Sequence, residues 1–330
     1  MRRVFALACL TILLPSSTIA QRFEVPASSG SRWFKGNTHS HTLNTDGDSP
    51  PDTVIRWYRS HGYNFLVISD HDTITDPASY RQYIDSGFML VPGEEVTGRF
   101  QGSPVHLTAI NLQRIVKPRT DATLLGTLQA NVDAIRQAGG VPLINHPNYR
   151  WALNRETLGQ TNGVALFELF NGHPHVHNLG GGTAPSLEAV WDALLSAGKR
   201  MYGVASDDSH FWKKYDQESP NPGRGWVYVR AAQLTPGAIA VALSTGQFYS
   251  STGPELVDLI VTPTTIEVRI KQDRDFRYRT EFIGDNGRVL SQSTELISRH
   301  ELAPGVTYVR ARITDSGGRV AWTQPVFVAK

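Results

Sequence analysis

The chain has 330 residues, 40% of them hydrophobic and 19% charged. That is ordinary for a globular enzyme and enough for one large α/β domain plus a small one. Its formal charge of +2 comes from Arg2 and Arg3 in an N-terminal leader; the remainder carries 30 basic and 30 acidic side chains, so nothing marks nucleic acid as the main partner. The single cysteine, Cys9, lies in the same leader, which excludes disulfides and zinc–thiolate chemistry from the rest of the chain.

The leader reads as a secretory signal peptide over residues 1–20. Arg2-Arg3 precede an apolar run over 4–14, Pro15 breaks it, and Thr18-Ile19-Ala20 offers small residues for cleavage before Gln21. The run is too short to span a bilayer. A periplasmic or secreted protein with no stable membrane insertion after cleavage is expected.

A first strand is expected over 37–42, carrying His39 and His41; residues two apart in a strand share a face. Asp46-Gly47 makes a turn. Pro50-Pro51-Asp52 opens a helix to about 61, with Val54, Ile55, Trp57 and Tyr58 as its apolar stripe. A buried strand over 65–69 ends in Asp70-His71-Asp72. A helix over 78–86 and a strand over 89–92 follow, delivering Gly93-Glu94-Glu95. Further strands are expected over 105–112, with His106; 141–145, before His146; 163–170, with Glu168; 201–205, before Asp207-Asp208-Ser209-His210; and 226–229. Helices are expected over 122–138, 186–197 and 236–244, the first ended by Gly139-Gly140.

This alternation over residues 21–250 predicts a closed or nearly closed α/β barrel. Beyond it, strands over 257–261, 265–271, 277–283, 308–314 and 320–328 predict a small all-β domain over 251–330.

The strand ends collect His39, His41, Asp46, His71, Glu95, His106, His146, Asp208 and His210, all nitrogen or oxygen ligands. At about four ligands per zinc, with some shared, nine side chains suit two or three divalent ions. Two ions bridged by a carboxylate can hold a hydroxide between them and polarise a substrate. Asp70, Asp72 and Asp207 flank these residues, where they either orient metal-bound imidazoles or cap turns; Asp72 or Asp207 could also serve as general acid. Arg224 could meet an anionic substrate group or be an ordinary loop arginine. His173, His175 and His177 either contact substrate or, the favoured reading, form a polar loop; His61 reads as a helix cap and His300 as a solvated side chain.

The order His-x-His, Asp-Gly, Ser-Asp-His-Asp, Gly-x-Glu, Asn-His-Pro and Asp-x-His resembles the polymerase and histidinol phosphatase (PHP) superfamily over residues 33 to 250. Gly93-Glu94-Glu95-Val96-Thr97, Asp207-Asp208-Ser209-His210 and the tail with Trp322 resemble its carbaryl-hydrolase-like branch. The resemblance implies a distorted (β/α)7 TIM-like barrel and a trinuclear site of zinc, manganese or iron. His39, His41, Glu95 and Asp208 would hold one ion; Glu95 would bridge to a second on His106 and His146; Asp46, His71 and His210 would hold a third. The Gly-x-Glu register favours Glu95 over Glu94. The implied activity is a metal-dependent phosphoesterase acting on a small anionic molecule, the alternative a carbamate, ester or amide hydrolase on the same ions.

Overall fold

The structure, a computed structural model, describes residues 21–26 and 32–329. The expected signal peptide and Cys9 lie outside the described residues. No helix among those described is long and apolar enough to cross a membrane.

Three short strands form one wall beneath the site: β1 (Arg32–Asn37), β2 (Phe65–Val67) and β3 (Met89–Val91). They run parallel, and β2 is apolar at every position because helix α1 (Pro51–Ser60) covers it. Val54, Ile55 and Tyr58 of α1 are fully buried with Leu66, Ile68 and Leu90.

A second sheet of five strands forms the other wall: β4 (Gly93–Phe100), β5 (Ser103–Ile110), β6 (Val141–Ile144), β7 (Leu166–Asn171) and β8 (Tyr202–Ser206). Helices α2 (Leu124–Gln137), α3 (Arg155–Gln160) and α4 (Leu187–Ser196) connect its later strands. β4 and β5 are an antiparallel hairpin closed by Gln101-Gly102, both at positive φ (49° and 84°), as a two-residue turn with the strand twist demands.

The first sheet continues from β1 through β9 (Trp226–Ala231) and β10 (Phe248–Ser251), which are antiparallel, with helix α5 (Pro236–Ser244) between them. It then passes without a break into strands of the C-terminal region. These are β11 (Leu256–Val261), β12 (Thr265–Ile270), β13 (Tyr278–Gly284), β14 (Arg288–Ser293), β15 (Ile297–Glu301), β16 (Tyr308–Asp315), β17 (Val320–Thr323) and β18 (Val326–Phe327). β10 pairs with β17, β17 with β16, and β13 lies between β16 and β14. β11, β12 and β15 form a separate three-stranded sheet.

The two main sheets share one apolar core, including Phe65, Met89, Ile110, Leu143, Leu166 and Val227. Their ladders do not join: β3 and β4 belong to different sheets, as do β8 and β9. The closed barrel expected from alternation is therefore corrected to an α/β fold of mixed sheets with few helices. The alternation fails where no helix separates β3 from β4, and where β8 leads into a long loop. The helix expected over 78–86 is a 3-10 stretch, Pro77–Tyr83, with Asp76 as its cap.

The C-terminal strands are bolted to α4 by charge. Arg310 is fully buried; its Nε donates to Asp192 Oδ1 (2.8 Å), and its Nη2 to Asp192 Oδ2 and Glu188 Oε1 (both 2.7 Å).

Candidate metal centre

β1 ends at Asn37, so His39 and His41 sit beyond the strand rather than on it. The segment stays extended because Ser40 bridges Ser209 and the Ser40 amide donates to Ser69 Oγ (3.1 Å). Asn37 fixes its start: its Oδ1 accepts from the His39 amide and its Nδ2 donates to Gly225 O, both 2.9 Å. Asp70 folds the next turn, accepting from the Thr42 amide and hydroxyl (both 2.7 Å) and from the Thr45 hydroxyl (3.0 Å). The turn brings Asp46 back over the histidines. It needs Gly47, where an added Cβ would lie 2.8 Å from the His41 main chain.

All nine candidate ligands meet. Glu95 is buried at the centre. Its Oε1 faces His106 Nδ1 (3.1 Å), His146 Nε2 (3.2 Å) and His39 Nε2 (3.5 Å); its Oε2 faces His71 Nδ1 (2.9 Å) and His41 Nε2 (3.6 Å). Asp208 Oδ1 lies 3.2 Å from His39 Nε2 and 3.3 Å from His41 Nε2. Asp46 Oδ2 lies 3.3 Å from His71 Nε2 and 3.4 Å from His210 Nε2. Three groups are compact enough to hold an ion: His41 with Asp46, His71 and His210; His39 with Glu95 and His146; His39 with His41 and Asp208. His106 stands outside them, joined through Glu95.

The donor set fits divalent ions. The atoms are imidazole nitrogens and carboxylate oxygens, and His41 Nδ1 and His106 Nε2 are buried with no hydrogen-bond partner. Burial opposes ionisation of Glu95, but His106 and His39 outweigh it and hold its carboxyl well below the usual range. Asp208 is likewise held low against burial by His39, His41 and His210. Asp46 is lowered too, by His210 and His71 against burial. Burial and then His210 push His41 down to about 4, whereas Asp46 and Glu95 overcome burial and raise His71 to about 10.

A second ring of side chains aims the first. Glu168 Oε1 accepts from His39 Nδ1–H (2.8 Å), which leaves His39 Nε2 to face Glu95 and Asp208. Glu168 also accepts from the His146 amide (2.6 Å), Asn171 Nδ2 (2.8 Å) and the Ser206 hydroxyl (2.5 Å). Asn145 Nδ2 donates to Glu95 Oε1 (2.8 Å), and Asn171 Nδ2 to Asp208 Oδ2 (3.1 Å). His146 and Asp208 both have positive φ, 24° and 49°. Strain of this kind gathers where a side chain must be aimed.

The candidate ligands other than His39, which is fully buried behind them, line a cavity of about 360 Å³. Asp72, Asp207 and Arg224 do not line it. Asp72 accepts from the Thr97 amide (2.9 Å). Asp207 is buried beneath, accepting from Tyr58 Oη (2.8 Å) and the amides of Gly223, Arg224 and Gly225 (2.9, 2.7 and 2.9 Å). Arg224 donates to Gly172 O (2.9 Å) and Asp216 O (2.7 Å).

Sequence reasoning missed Tyr149 and Glu218 as lining residues and weighed His173 and His175 toward a polar loop over substrate contact; both histidines line the cavity, as does Phe211. Their x-His-x-His spacing was the available signal. His177 instead stacks on Trp151 (4.6 Å). His61 caps α1 as expected, its Nδ1 2.7 Å from Trp57 O. His300 is a correction: it is buried, because its side chain stacks on Phe282 of β13 and hydrogen-bonds to Ser291 Oγ of β14 (2.8 Å).

No family model matches the chain. Residues of the chain are 28% identical over 92 positions to a 5'-3' exoribonuclease of Haemophilus influenzae, covering 27% of this chain and 33% of that protein. A 5'-3' exoribonuclease of Salmonella typhimurium is 31% identical over 77 residues, covering 22% and 26%. The matches thus span about a third or less of those relatives. The fold is similar to that of a two-domain protein of Bacteroides vulgatus containing a predicted PHP-like metal-dependent phosphoesterase: TM-score 0.51 and 16% identity, covering 88% of this chain and 93% of that one. The chain therefore shares its overall fold with that two-domain protein over most of its length.

Proposed function

We propose that this PHP-fold chain is a metal-dependent hydrolase, a phosphoesterase acting on a small molecule. The observation that carries the reading is Glu95: a buried carboxylate whose two oxygens face different histidines, flanked by Asp46 and Asp208 at either side. A structural ion pair needs one cationic partner; a carboxylate among so many imidazoles suits shared ions. His39, His41, Glu95 and Asp208 would hold one ion, Glu95, His106 and His146 a second, and Asp46, His71 and His210 a third, with zinc, manganese and iron all compatible. Such ions supply Lewis acidity toward a phosphoryl group and a nucleophile drawn from water at neutral pH. Glu168, Asn145 and Asn171 keep the ligands aimed, and Asp70 keeps Asp46 in place. In this reading Asp72, Asp207 and Arg224 act by holding the segments that carry the ligands. The phosphoesterase name of the Bacteroides protein and the exoribonuclease names of the short matches support phosphorus chemistry.

A second reading, hydrolysis of a carbamate, ester or amide as in the carbaryl-hydrolase-like branch, is favoured by one observation: Tyr149 and Phe211 line the cavity, and no Arg or Lys does so among the described residues. Hydrolysis of matched nitrophenyl phosphate, phosphodiester, acetate and carbamate by metal-loaded protein separates the two. Chelator-sensitive turnover of the phosphates, abolished by His39→Ala, supports the first; turnover of acetate or carbamate alone would replace it with the second.

The same reading treats the two main sheets as a distorted (β/α)7 barrel opened at two seams. Residues 21–250 form the metallohydrolase domain and 251–330 an all-β domain fastened to α4. Residues 1–20 are a signal peptide that directs export to the periplasm or beyond. N-terminal sequencing of protein recovered after export tests this: a start at Gln21 agrees, and a retained Met1 would contradict it.

A further inference from the structure

One wall of the cavity has no place among the metal ligands. It begins just after β7, where Asn171 and Asn178 tie a short turn shut. Asn171 Oδ1 accepts from the His173 amide (2.8 Å), Asn178 Oδ1 accepts from the Asn171 amide (3.0 Å), and Asn178 Nδ2 donates to Asn171 O (2.8 Å). Inside this turn the main-chain N–H of His175 donates to His173 Nδ1 (3.1 Å). A ring nitrogen that accepts a hydrogen bond carries no proton, so His173 is a neutral imidazole protonated at Nε2. Its ring lines the cavity 5.6 Å from that of His210 and 6.3 Å from that of Tyr149, measured between centroids.

The charges around it are arranged to match. Arg224 spends its guanidinium on the carbonyls of Gly172 and Asp216, and Lys214 Nζ lies 2.6 Å from Asp216. Glu218 lines the cavity. The cavity thus offers a ligand a neutral donor at His173 and a carboxylate at Glu218, whereas the ion-binding side attracts an anion.

Resting on the phosphoester reading, we propose that His173 is a specificity-determining residue: its neutral Nε2–H binds an uncharged oxygen of the substrate beyond the metal-held group, and the wall, with Glu218, selects substrates bearing a single anionic group. A polyanionic ligand such as an oligonucleotide meets a carboxylate where it would need a cation.

The test uses zinc-loaded protein and three probes: inorganic phosphate, 4-acetylphenylphosphonate and 4-carboxyphenylphosphonate. In histidine-labelled protein, nitrogen-15 spectra near neutral pH should show His173 unprotonated at Nδ1 and protonated at Nε2, with Nε2 shifting when the acetyl probe is added. By calorimetry the acetyl probe should bind about ten-fold more tightly than the carboxyl probe, the scale of one uncompensated like-charge contact. Glu218→Lys should erase that ratio, and His173→Phe should weaken the acetyl probe about five-fold, the loss of one neutral hydrogen bond. Phosphate binding that leaves His173 Nε2 unmoved by the acetyl probe, a proton on Nδ1, or equal affinity for the two arylphosphonates would each overturn the inference alone. Failure of phosphate and both probes to bind would overturn the phosphoester reading and the inference with it.

Discussion

Glu168→Gln replaces one carboxylate oxygen by an NH2 group and leaves all nine candidate ligands in place. Glu168 is fully buried and accepts on both oxygens. Oε1 serves His39 Nδ1 and the Ser206 hydroxyl, and Oε2 serves the His146 amide and Asn171 Nδ2. An amide can accept at one end only, so whichever way the new side chain turns, its NH2 faces two buried donors. Each donor left unmet costs about 1–3 kcal/mol, so the metal-free protein should lose roughly 2–6 kcal/mol, read by urea unfolding. The larger effect falls on the ions. Turned with its NH2 toward His39, Gln removes the acceptor that sets the tautomer aiming Nε2 at Glu95 and Asp208; turned with its oxygen there, it offers only a neutral, weaker acceptor, and loss of such a partner lowers metal affinity about 10–100-fold. Competition titration against a coloured chelator measures this directly. Affinity within about two-fold of wild type, in a variant that unfolds at lower urea, would refute the claim that Glu168 aims His39 and would leave it a purely structural residue.

Three other perturbations probe different parts of the molecule. Arg310→Met should destabilise by about 3–5 kcal/mol in urea, because buried Asp192 loses its cation and keeps only the Tyr308 hydroxyl, while Glu188 keeps Arg312; Arg310→Met with Asp192→Leu should recover much of that. Asp207→Asn leaves one oxygen for four donors, Tyr58 Oη and three loop amides, so two of them lose their acceptor; it should lower both stability and turnover while leaving ion stoichiometry unchanged, as metal analysis would show. Burial lowers the His300 imidazole below its ordinary value. The unfolded chain therefore takes up the proton first, and stability falls as pH drops below about 6.5 toward the folded value; in His300→Gln, urea midpoints compared across that window should lose this part of the decline.

The ligands were legible in the sequence because each sits beside an apolar strand whose end faces one cavity; buried strands at fixed points leave short polar motifs few other places to go. Like His71, His146, Asp208 and His210, His39 and His41 lie past a strand end, and their segment depends on the Ser40–Ser209 bridge, a contact across 169 residues that no local pattern announces. Glu168 meets His39 from 129 residues away, so its role as the residue that fixes His39 is equally invisible. The β4–β5 hairpin was lost because Gly93–Phe100 is polar at several positions and its turn is Gln-Gly, a weaker signal than Asn-Gly. β14 and β15 carry mostly polar, exposed side chains, so their alternation is faint. Barrel closure was overread because regular alternation predicts crossovers but not the seams. The helix-free stretches after β3 and β8 were the places where that expectation failed. His173 shows the reverse: a histidine in a polar loop becomes a cavity wall only when Asn171 and Asn178 fold the loop over the site.

The most direct measurement is the metal content of the purified protein and of Glu95→Ala by elemental mass spectrometry, with circular dichroism to confirm that both are folded. A shared centre predicts more than one divalent ion per chain in the wild type and a loss of all but weakly held metal in the variant. A folded wild-type protein that takes up no divalent ion, or a Glu95→Ala protein that binds as many ions as tightly, would contradict it.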